Sequence, residues 1–298
     1  MTDPTISFVV CTYRSYTHKY GCIDLTLAAI DQQKNIEIVV VENSGDGVDR
    51  EQLKLYLATY NFKNPIKMIE EYVPVGNGRN AGARAASGDI IVFMDDDVFL
   101  TTPDAADQVR NAIDTYAHGY GATRPWTREL SWFSSNRDRL LGEFLQSDFL
   151  FLLTNTVKPL PKMRSLPDTA AEYLSRSYIA SFGYVTRTLF EKTGGYPENF
   201  EHKLGSEDSA LMLKCYLADG APASLKNITV VHLNHPLRYD NMTESEYGSY
   251  SKHNEKLFLQ YCITQGIAGF NPYNLMFPES PRAAPVILTI EEYLAQKN

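Results

Sequence analysis

Three consecutive aspartates, Asp95, Asp96 and Asp97, are the residues of this sequence most suited to chemistry. They follow an apolar run at residues 90–94 whose composition is typical of a buried parallel strand. Adjacent carboxylates repel one another, so proteins tolerate them mainly where a cation, a ribose or a basic side chain compensates the charge. In open α/β sheets, ligands bind beyond the carboxyl ends of the strands. The triplet therefore indicates a cation or ligand site, with a solvated turn or a helix cap as the alternative.

The sequence up to the triplet alternates between strand and helix patterns. Apolar runs typical of strands lie at residues 6–11, 36–41, 66–69 and 90–94, and helical patterns lie at 24–33, 50–60 and 78–86. Strands that alternate with helices of this length indicate βαβ units and a parallel sheet. The pattern predicts an α/β fold with a doubly wound, mainly parallel sheet.

Polar residues follow the carboxyl ends of the predicted strands. They are Thr12-Tyr13-Arg14, Glu42-Asn43-Ser44 and the aspartate triplet. Each cluster alone would be ordinary loop chemistry. Because the carboxyl ends of parallel strands meet at one edge of a sheet, the three clusters together predict a pocket for a base and a ribose beside a cation.

Composition argues against several classes of protein. The chain of 298 residues carries a formal net charge of -8 and has no run of Lys and Arg, so nucleic acid is not expected as its main partner. No apolar stretch approaches about 20 residues, and the amino terminus lacks the basic and apolar regions of a signal peptide. We therefore expect a cytoplasmic protein with at most peripheral membrane contact.

Several short motifs follow one another in the order found in a known enzyme family. They are Thr12-Tyr13-Arg14, Glu42-Asn43-Ser44, Gly78-Arg79-Asn80-Ala81-Gly82, Ser87-Gly88-Asp89-Ile90 and Phe93-Met94-Asp95-Asp96-Asp97. Two later motifs are Gly194-Gly195-Tyr196-Pro197-Glu198-Asn199-Phe200 and Gly205-Ser206-Glu207-Asp208. In this order the motifs resemble those of the inverting glycosyltransferases of family 2, which have the GT-A fold.

This resemblance implies a reaction and a cofactor. The expected enzyme is a metal-dependent transferase that moves a sugar, with inversion, from a nucleoside-diphosphate sugar to an acceptor hydroxyl. A UDP-sugar is the favoured donor, and Mn²⁺ or Mg²⁺ is expected because either cation offsets charge on the leaving diphosphate. The acceptor could be a glycan, a lipid-linked molecule or a small molecule, since a fold does not determine its substrate.

The resemblance also implies roles for individual residues. Those expected to bind the nucleotide sugar are Thr12, Tyr13, Arg14, Glu42, Asn43, Arg79, Asp95 and Asp96. Tyr13 would lie against the base, Arg79 would face the nucleotide or its phosphates, and Asp96 would touch the sugar nucleotide. Asp97 would bind the cation, with His232 as a second candidate ligand and His235 as a weaker one. Asp208 would deprotonate the acceptor, and Glu207 would orient it. The acceptor wall would include Trp126 and Trp132.

Other interpretations of these residues stay open. Glu42 stands where the family usually has an aspartate that accepts a hydrogen bond from the nucleobase. This substitution leaves the identity of the nucleotide undecided. Glu207 and Asp208 could be ordinary acidic residues in the first turn of a helix. His232 could be a hydrogen-bonded loop side chain, and the two tryptophans could pack in the core.

The motifs divide the chain into two expected halves. Residues 1–102 would bind the nucleotide sugar, and residues 103–240 would bind the acceptor, with an irregular insertion at about 120–176. Residues 241–298 would form a C-terminal extension of the same compact catalytic domain.

Two other functions compete with glycosyl transfer. A nucleotidyltransferase that makes sugar nucleotides would carry a glycine-rich loop after the first strand, whereas this chain has Cys11-Thr12-Tyr13-Arg14-Ser15 and no glycine until Gly21. A non-catalytic protein that binds nucleotide sugars or glycans would not need Asp208 and the intact triplet.

Overall fold

The computed structural model of the chain describes residues 4–16, 21–125, 181–200, 207–233, 253, 256–270 and 287–295. The strands are β1 (Ile6–Thr12), β2 (Ile36–Glu42), β3 (Ile66–Glu70), β4 (Ile90–Asp95), β5 (Val98–Leu100), β6 (His118–Pro125), β7 (Gly183–Thr186), β8 (Ala223–His232), β9 (Ile267–Phe270) and β10 (Ile287–Thr289). The helices are α1 (Ile23–Ile30), α2 (Gly47–Thr59), α3 (Val75–Ala85), α4 (Ala105–Ala112), α5 (Arg187–Thr193), α6 (Glu207–Asp219) and α7 (Ile290–Ala295).

Eight strands form one mixed sheet in the order β3-β2-β1-β4-β7-β6-β8-β5. The first four strands in this order are parallel, as the sequence predicts. β7 then runs antiparallel to both β4 and β6, and β5 runs antiparallel to β8. The predicted α/β architecture is confirmed, and the sheet runs without interruption through strands from both expected halves of the chain.

The sheet register brings the polar strand ends together. Thr12 at the end of β1 pairs with Glu42 at the end of β2, and Cys11 pairs with Asp95 at the end of β4. These strands end level with one another because each is a mainly apolar run that stops at a polar residue. The predicted convergence of the polar clusters on one edge is therefore observed.

Helices cover both faces of the sheet. On β1, Phe8 and Val10 pack on the face that carries α1 and α4, whereas Val9 packs on the opposite face with residues of α3, α5 and α6. This alternation follows from the two-residue period of a strand. Both faces of the central strands are buried, so the side chains available for chemistry are those at the strand ends.

Two helices begin earlier than the sequence patterns predict, and the sheet extends further. α2 begins at Gly47 rather than near residue 50, because Asp46 caps it by accepting a hydrogen bond from Val48 N at 2.9 Å. α3 begins directly after Pro74 and includes the glycine-rich residues that hide its helical pattern. β6 continues the sheet to Pro125, inside the segment expected to be irregular from about residue 120.

None of the helices in the described ranges combines the length and the hydropathy needed to cross a bilayer.

Candidate active site

The acidic turn between β4 and β5 is anchored to β8. β5 pairs Val98 with His232, and Leu233 N donates a hydrogen bond to Asp97 O at 2.9 Å. This pairing places His232 Nε2 at 3.6 Å from Asp97 Oδ1. The turn therefore meets a histidine from a distant part of the sequence.

Asp95, Asp97 and His232 form a group that fits a divalent cation. Each residue offers one ligand atom, and these atoms all lie within 4.8 Å of one another. Burial raises the pKa of Asp95, and the charge of Asp97 raises it further, although Arg79 opposes the shift. Two carboxylates and an imidazole match the oxygen and nitrogen ligands that Mn²⁺ accepts, and a cation would relieve the repulsion between the carboxylates.

Asp96 points away from this group, toward the loop after β1. Its Oδ2 accepts hydrogen bonds from Thr12 Oγ1 at 2.7 Å, from Tyr13 N at 3.2 Å and from the Ser15 hydroxyl. Only 7% of Asp96 is exposed. In this structure the carboxylate of Asp96 holds the loop that carries the expected nucleotide-binding residues.

A second buried carboxylate holds Tyr16 of this loop. Asp49 in the first turn of α2 is fully buried, and its Oδ1 accepts a hydrogen bond from Tyr16 N at 2.7 Å. Between the two anchors, Arg14 adopts a φ of 52°, a left-handed conformation that costs energy for residues other than glycine. Its guanidinium lies 5.5 Å from the centre of the Tyr13 ring. Residues 12–16 are thus held in place by two buried carboxylates.

The polar residues after β2 are also hydrogen-bonded within the protein. Glu42 Oε1 accepts from Ser44 N at 2.8 Å and from the Ser44 hydroxyl. Asn43 bonds both backbone groups of Val73, as its Nδ2 donates to the carbonyl and its Oδ1 accepts from the amide, each at 2.9 Å. These contacts tie the end of β2 to the segment between β3 and α3.

Arg79 joins the acidic turn to the start of α6. Its Nη2 lies 2.7 Å from Asp95 Oδ1, and its Nη1 lies 3.0 Å from Asp208 Oδ1 and 3.3 Å from Glu207 Oε1. Only 4% of Arg79 is exposed. One guanidinium therefore contacts three carboxylates from two distant parts of the sequence.

The electrostatic environment of Asp208 suits a general base. Burial raises the pKa of Asp208 to about 7, Arg79 opposes the shift, and the charges of Glu207 and Asp95 add to it. About a fifth of the side chain is exposed, at 21%. A carboxylate with a pKa near neutrality can both accept and release a proton at physiological pH.

The segment before α6 is locked to α3 through Tyr196. Asn80 Nδ2 donates to Tyr196 O at 2.9 Å, and Tyr196 N donates to Asn80 Oδ1 at 2.8 Å. The Tyr196 ring meets the Phe93 ring edge-on, with 5.2 Å between centres, and the Arg79 guanidinium lies 5.5 Å from the Tyr196 ring centre. These contacts hold Tyr196 against α3 and β4.

The sequence-predicted site residues have two outcomes in the structure. Those that the structure gathers at one edge of the sheet are Thr12, Tyr13, Arg14, Glu42, Asn43, Arg79, Asp95, Asp96, Asp97, Glu207, Asp208 and His232. Trp126, Trp132 and His235 lie outside the described residues. Sequence reasoning missed the supporting roles of Ser15, Asp49 and Asn80, and in the sequence Asp49 has no signal beyond that of an ordinary acidic residue near a helix start.

Comparisons with known proteins agree with this geometry. The sequence profile described as glycosyl transferase family 2 matches residues 7–171, more than half of the chain. No curated protein sequence matches this chain significantly.

Two solved structures show the same fold at low sequence identity. The mannosyltransferase PcManGT from Pyrobaculum calidifontis, in complex with GDP-Man and Mn²⁺, has a TM-score of 0.51 and 16% identity, over 94% of this chain and 80% of that one. Residues 1–349 of S. aureus TarS, in complex with UDP-GlcNAc, have a TM-score of 0.50 and 15% identity, over 86% of this chain and 71% of that one. The chain belongs to glycosyl transferase family 2 and is a glycosyltransferase with the GT-A fold.

Proposed function

We propose that this glycosyltransferase uses a divalent cation and moves a sugar, with inversion, from a nucleoside-diphosphate sugar to an acceptor hydroxyl. The observation that carries the proposal is the Arg79 cluster, in which the base candidate Asp208 and the cation-site carboxylate Asp95 contact one guanidinium. A base for the acceptor and a charge site for the leaving diphosphate are the two parts that such a reaction needs.

The donor would lie along the carboxyl edge of β1, β2 and β4. Thr12, Tyr13 and Arg14 stand on the anchored loop after β1, and Glu42 and Asn43 stand after β2. Residues that are already held in place lose little conformational entropy when a nucleotide binds. UDP-sugars are the first candidates and GDP-sugars the second, because UDP-GlcNAc and GDP-Man are bound in the two similar structures.

The cation site would be formed by Asp95, Asp97 and His232. The spacing of their ligand atoms and the mutual repulsion of the carboxylates support this assignment. A bound Mn²⁺ or Mg²⁺ would supply Lewis-acid stabilisation of the leaving diphosphate.

Asp208 would act as the base in a single displacement. Its carboxylate removes the proton of the acceptor hydroxyl, and the acceptor oxygen forms a bond to the anomeric carbon. The bond from that carbon to the diphosphate oxygen breaks, and the diphosphate leaves with the electron pair. Glu207, next to Asp208 in the first turn of α6, would orient the acceptor. Removal of a proton by a positioned carboxylate typically contributes about 10²–10⁴-fold to the rate.

The test is a thermal-shift screen of UDP- and GDP-sugars with and without Mn²⁺, followed by detection of the released nucleoside diphosphate. We expect one donor class to raise the melting temperature, with a larger shift when Mn²⁺ is present, because a ligand that binds only the folded state stabilises it. Hydrolysis to water provides an assay before the acceptor is known, and NMR of the anomeric signal tests inversion. Equal stabilisation with and without Mn²⁺ would contradict the cation assignment, and no stabilisation by any donor would contradict the proposed donor class.

A further inference from the structure

Arg79 is a buried arginine that the two halves of the candidate site share. Its Nη2 points to Asp95 at the end of β4, and its Nη1 points to Asp208 and Glu207 at the start of α6. The Arg79 side chain is 5% exposed. The next residue on α3, Asn80, forms two hydrogen bonds with the backbone of Tyr196, which hold this part of α3 beside Tyr196.

These contacts differ from those of an arginine whose guanidinium is available to bind a phosphate. Both terminal nitrogens of Arg79 already donate to carboxylates, so a donor phosphate would compete with buried acidic partners for the same charge. Removing one member of a buried ion pair is costly because the other charge is left buried and uncompensated. Arg84, on the same helix, shows the contrast, because its side chain is 64% exposed and lies 3.7 Å from Glu198.

We propose that Arg79 is a positioning residue that holds Asp208 and Asp95 in a fixed relation. One side chain then determines the position of both the base and a carboxylate of the cation site. The inference rests on the proposed function, because it takes Asp208 as the base. It departs from the expectation that Arg79 faces the nucleotide or its phosphates.

The charges around the guanidinium predict opposite effects on the two sites. The groups that face Asp208 are Arg79 from α3, Glu207 from α6, Asp95 from β4 and Tyr196 from the segment before α6. Arg79 is the positive charge among them, so its removal raises the pKa of Asp208 further. At the cation site Arg79 repels the incoming cation, so its removal strengthens the attraction between Asp95 and Mn²⁺.

The experiment compares Arg79→Gln and Arg79→Lys with the parent, using Arg84→Gln as a matched control on the same helix. Donor binding is measured at saturating Mn²⁺, Mn²⁺ binding is measured alone by electron paramagnetic resonance, and kcat and KM are measured against pH. For Arg79→Gln we expect a donor Kd within about threefold of the parent and a kcat at least about 10²-fold lower. The acid limb of the rate profile should move up by about one pH unit, and Mn²⁺ should bind about threefold more tightly or better. Arg84→Gln should match the parent in every measurement.

A rise in donor Kd of about tenfold or more, with kcat and the acid limb unchanged, would identify Arg79 as a phosphate ligand and overturn the proposal. If Arg79→Gln does not fold, Arg79→Lys decides the question. Lysine keeps the positive charge but lacks the planar guanidinium whose two terminal nitrogens contact carboxylates on opposite sides. Arg79→Lys should keep the donor Kd and the acid limb while kcat falls. If the parent shows no transfer with any donor, the proposed function fails. The Mn²⁺ titration still tests the role of Arg79 in that case. Unchanged Mn²⁺ affinity in Arg79→Gln would overturn the proposal that Arg79 is a positioning residue.

Discussion

The side-chain amide of Asn80 forms two hydrogen bonds with the backbone of Tyr196, one to the carbonyl and one from the amide. Asn43 binds Val73 in the same way. In both pairs one asparagine replaces the partner that a strand would otherwise provide, and so fixes an irregular segment beside the candidate site. Tyr196, which precedes α6 in the sequence, is held to α3 in this way.

Asn80→Ala should lower the free energy of unfolding by about 2 kcal/mol or more, because it leaves the buried amide and carbonyl of Tyr196 without partners. Urea denaturation measures the loss. The matched control is Asn77→Ala on the same helix, where the amide makes one long contact of 3.4 Å to Glu198 O. Both changes gain the same helix propensity, so similar stabilities for the two variants would contradict the structural role of Asn80.

Asp208→Asn should leave the donor Kd within a few-fold of the parent and reduce transfer by about 10²–10⁴-fold, because the amide cannot accept the acceptor proton. In the parent, the pKa of about 7 predicts that the rate rises as pH increases through neutrality, where the carboxylate loses its proton. A rate profile measured from about pH 5 to 9 checks this. Transfer by Asp208→Asn at the parental rate would place the base elsewhere.

The same carboxylate should make stability depend on pH. The folded-state pKa of Asp208 is raised from 3.8 to about 7, so the folded protein binds more protons than the unfolded chain between these values. The contribution of Asp208 to stability therefore falls as pH rises through this window. Asp208→Asn should gain stability relative to the parent as the pH is raised from 4 to 8, since Arg79 keeps Asp95 and Glu207 as partners. A stability difference that is constant with pH would show that burial does not raise this pKa.

Asp97→Asn and His232→Gln should each weaken Mn²⁺ binding by about tenfold or more. Losing a partner of a metal ligand already costs about 10–100-fold in affinity, and losing a ligand should cost at least as much. Isothermal titration calorimetry with Mn²⁺ measures the effect, and Asp104→Asn, an exposed change just after β5, serves as the control. If His232→Gln binds Mn²⁺ like the parent, the imidazole is not a ligand and its position beside Asp97 is a matter of packing.

Asp96→Ala should destabilise the fold and weaken donor binding together. The carboxylate accepts hydrogen bonds from Thr12, Tyr13 and Ser15, and Thr12 and Ser15 also bond each other at 2.7 Å. Removing the carboxylate takes away the acceptor that the three residues share, at a cost of about 1–3 kcal/mol. Chemical denaturation and donor titration are the two measurements, with Asp104→Ala as the control. A loss of donor affinity without a loss of stability would instead show that Asp96 contacts the sugar nucleotide directly.

The parallel part of the fold was predictable because its strands are mainly apolar runs. β1, β2 and β4 each end within one residue of the predicted position, since a buried strand stops where a polar residue must reach the sheet edge. β5 and β6 were not predicted. β5 has only three residues, and β6 contains two glycines and a proline, which are rare in strands. The neighbouring strands, rather than local propensity, determine both.

The candidate site was predictable at the level of which residues meet, but not of which contacts they make. Motif order placed Asp96 and Arg79 in one pocket, yet their partners depend on the directions of side chains that are far apart in sequence. Asp96 accepts a hydrogen bond from Ser15, and Arg79 forms an ion pair with Asp208, because a buried charge needs a hydrogen bond or an opposite charge. A linear pattern does not determine such choices.

The pairing of β5 with β8 has a consequence for the order in which the molecule is assembled. Asp95 and Asp97 leave the ribosome early, whereas His232 stands at the end of β8 and reaches them only through that long-range pairing. Contacts between distant segments form late because loop closure must come first. A growing chain that has not yet completed β8 carries the acidic turn without its imidazole, so the proposed three-residue cation site is complete only once β8 has joined the sheet.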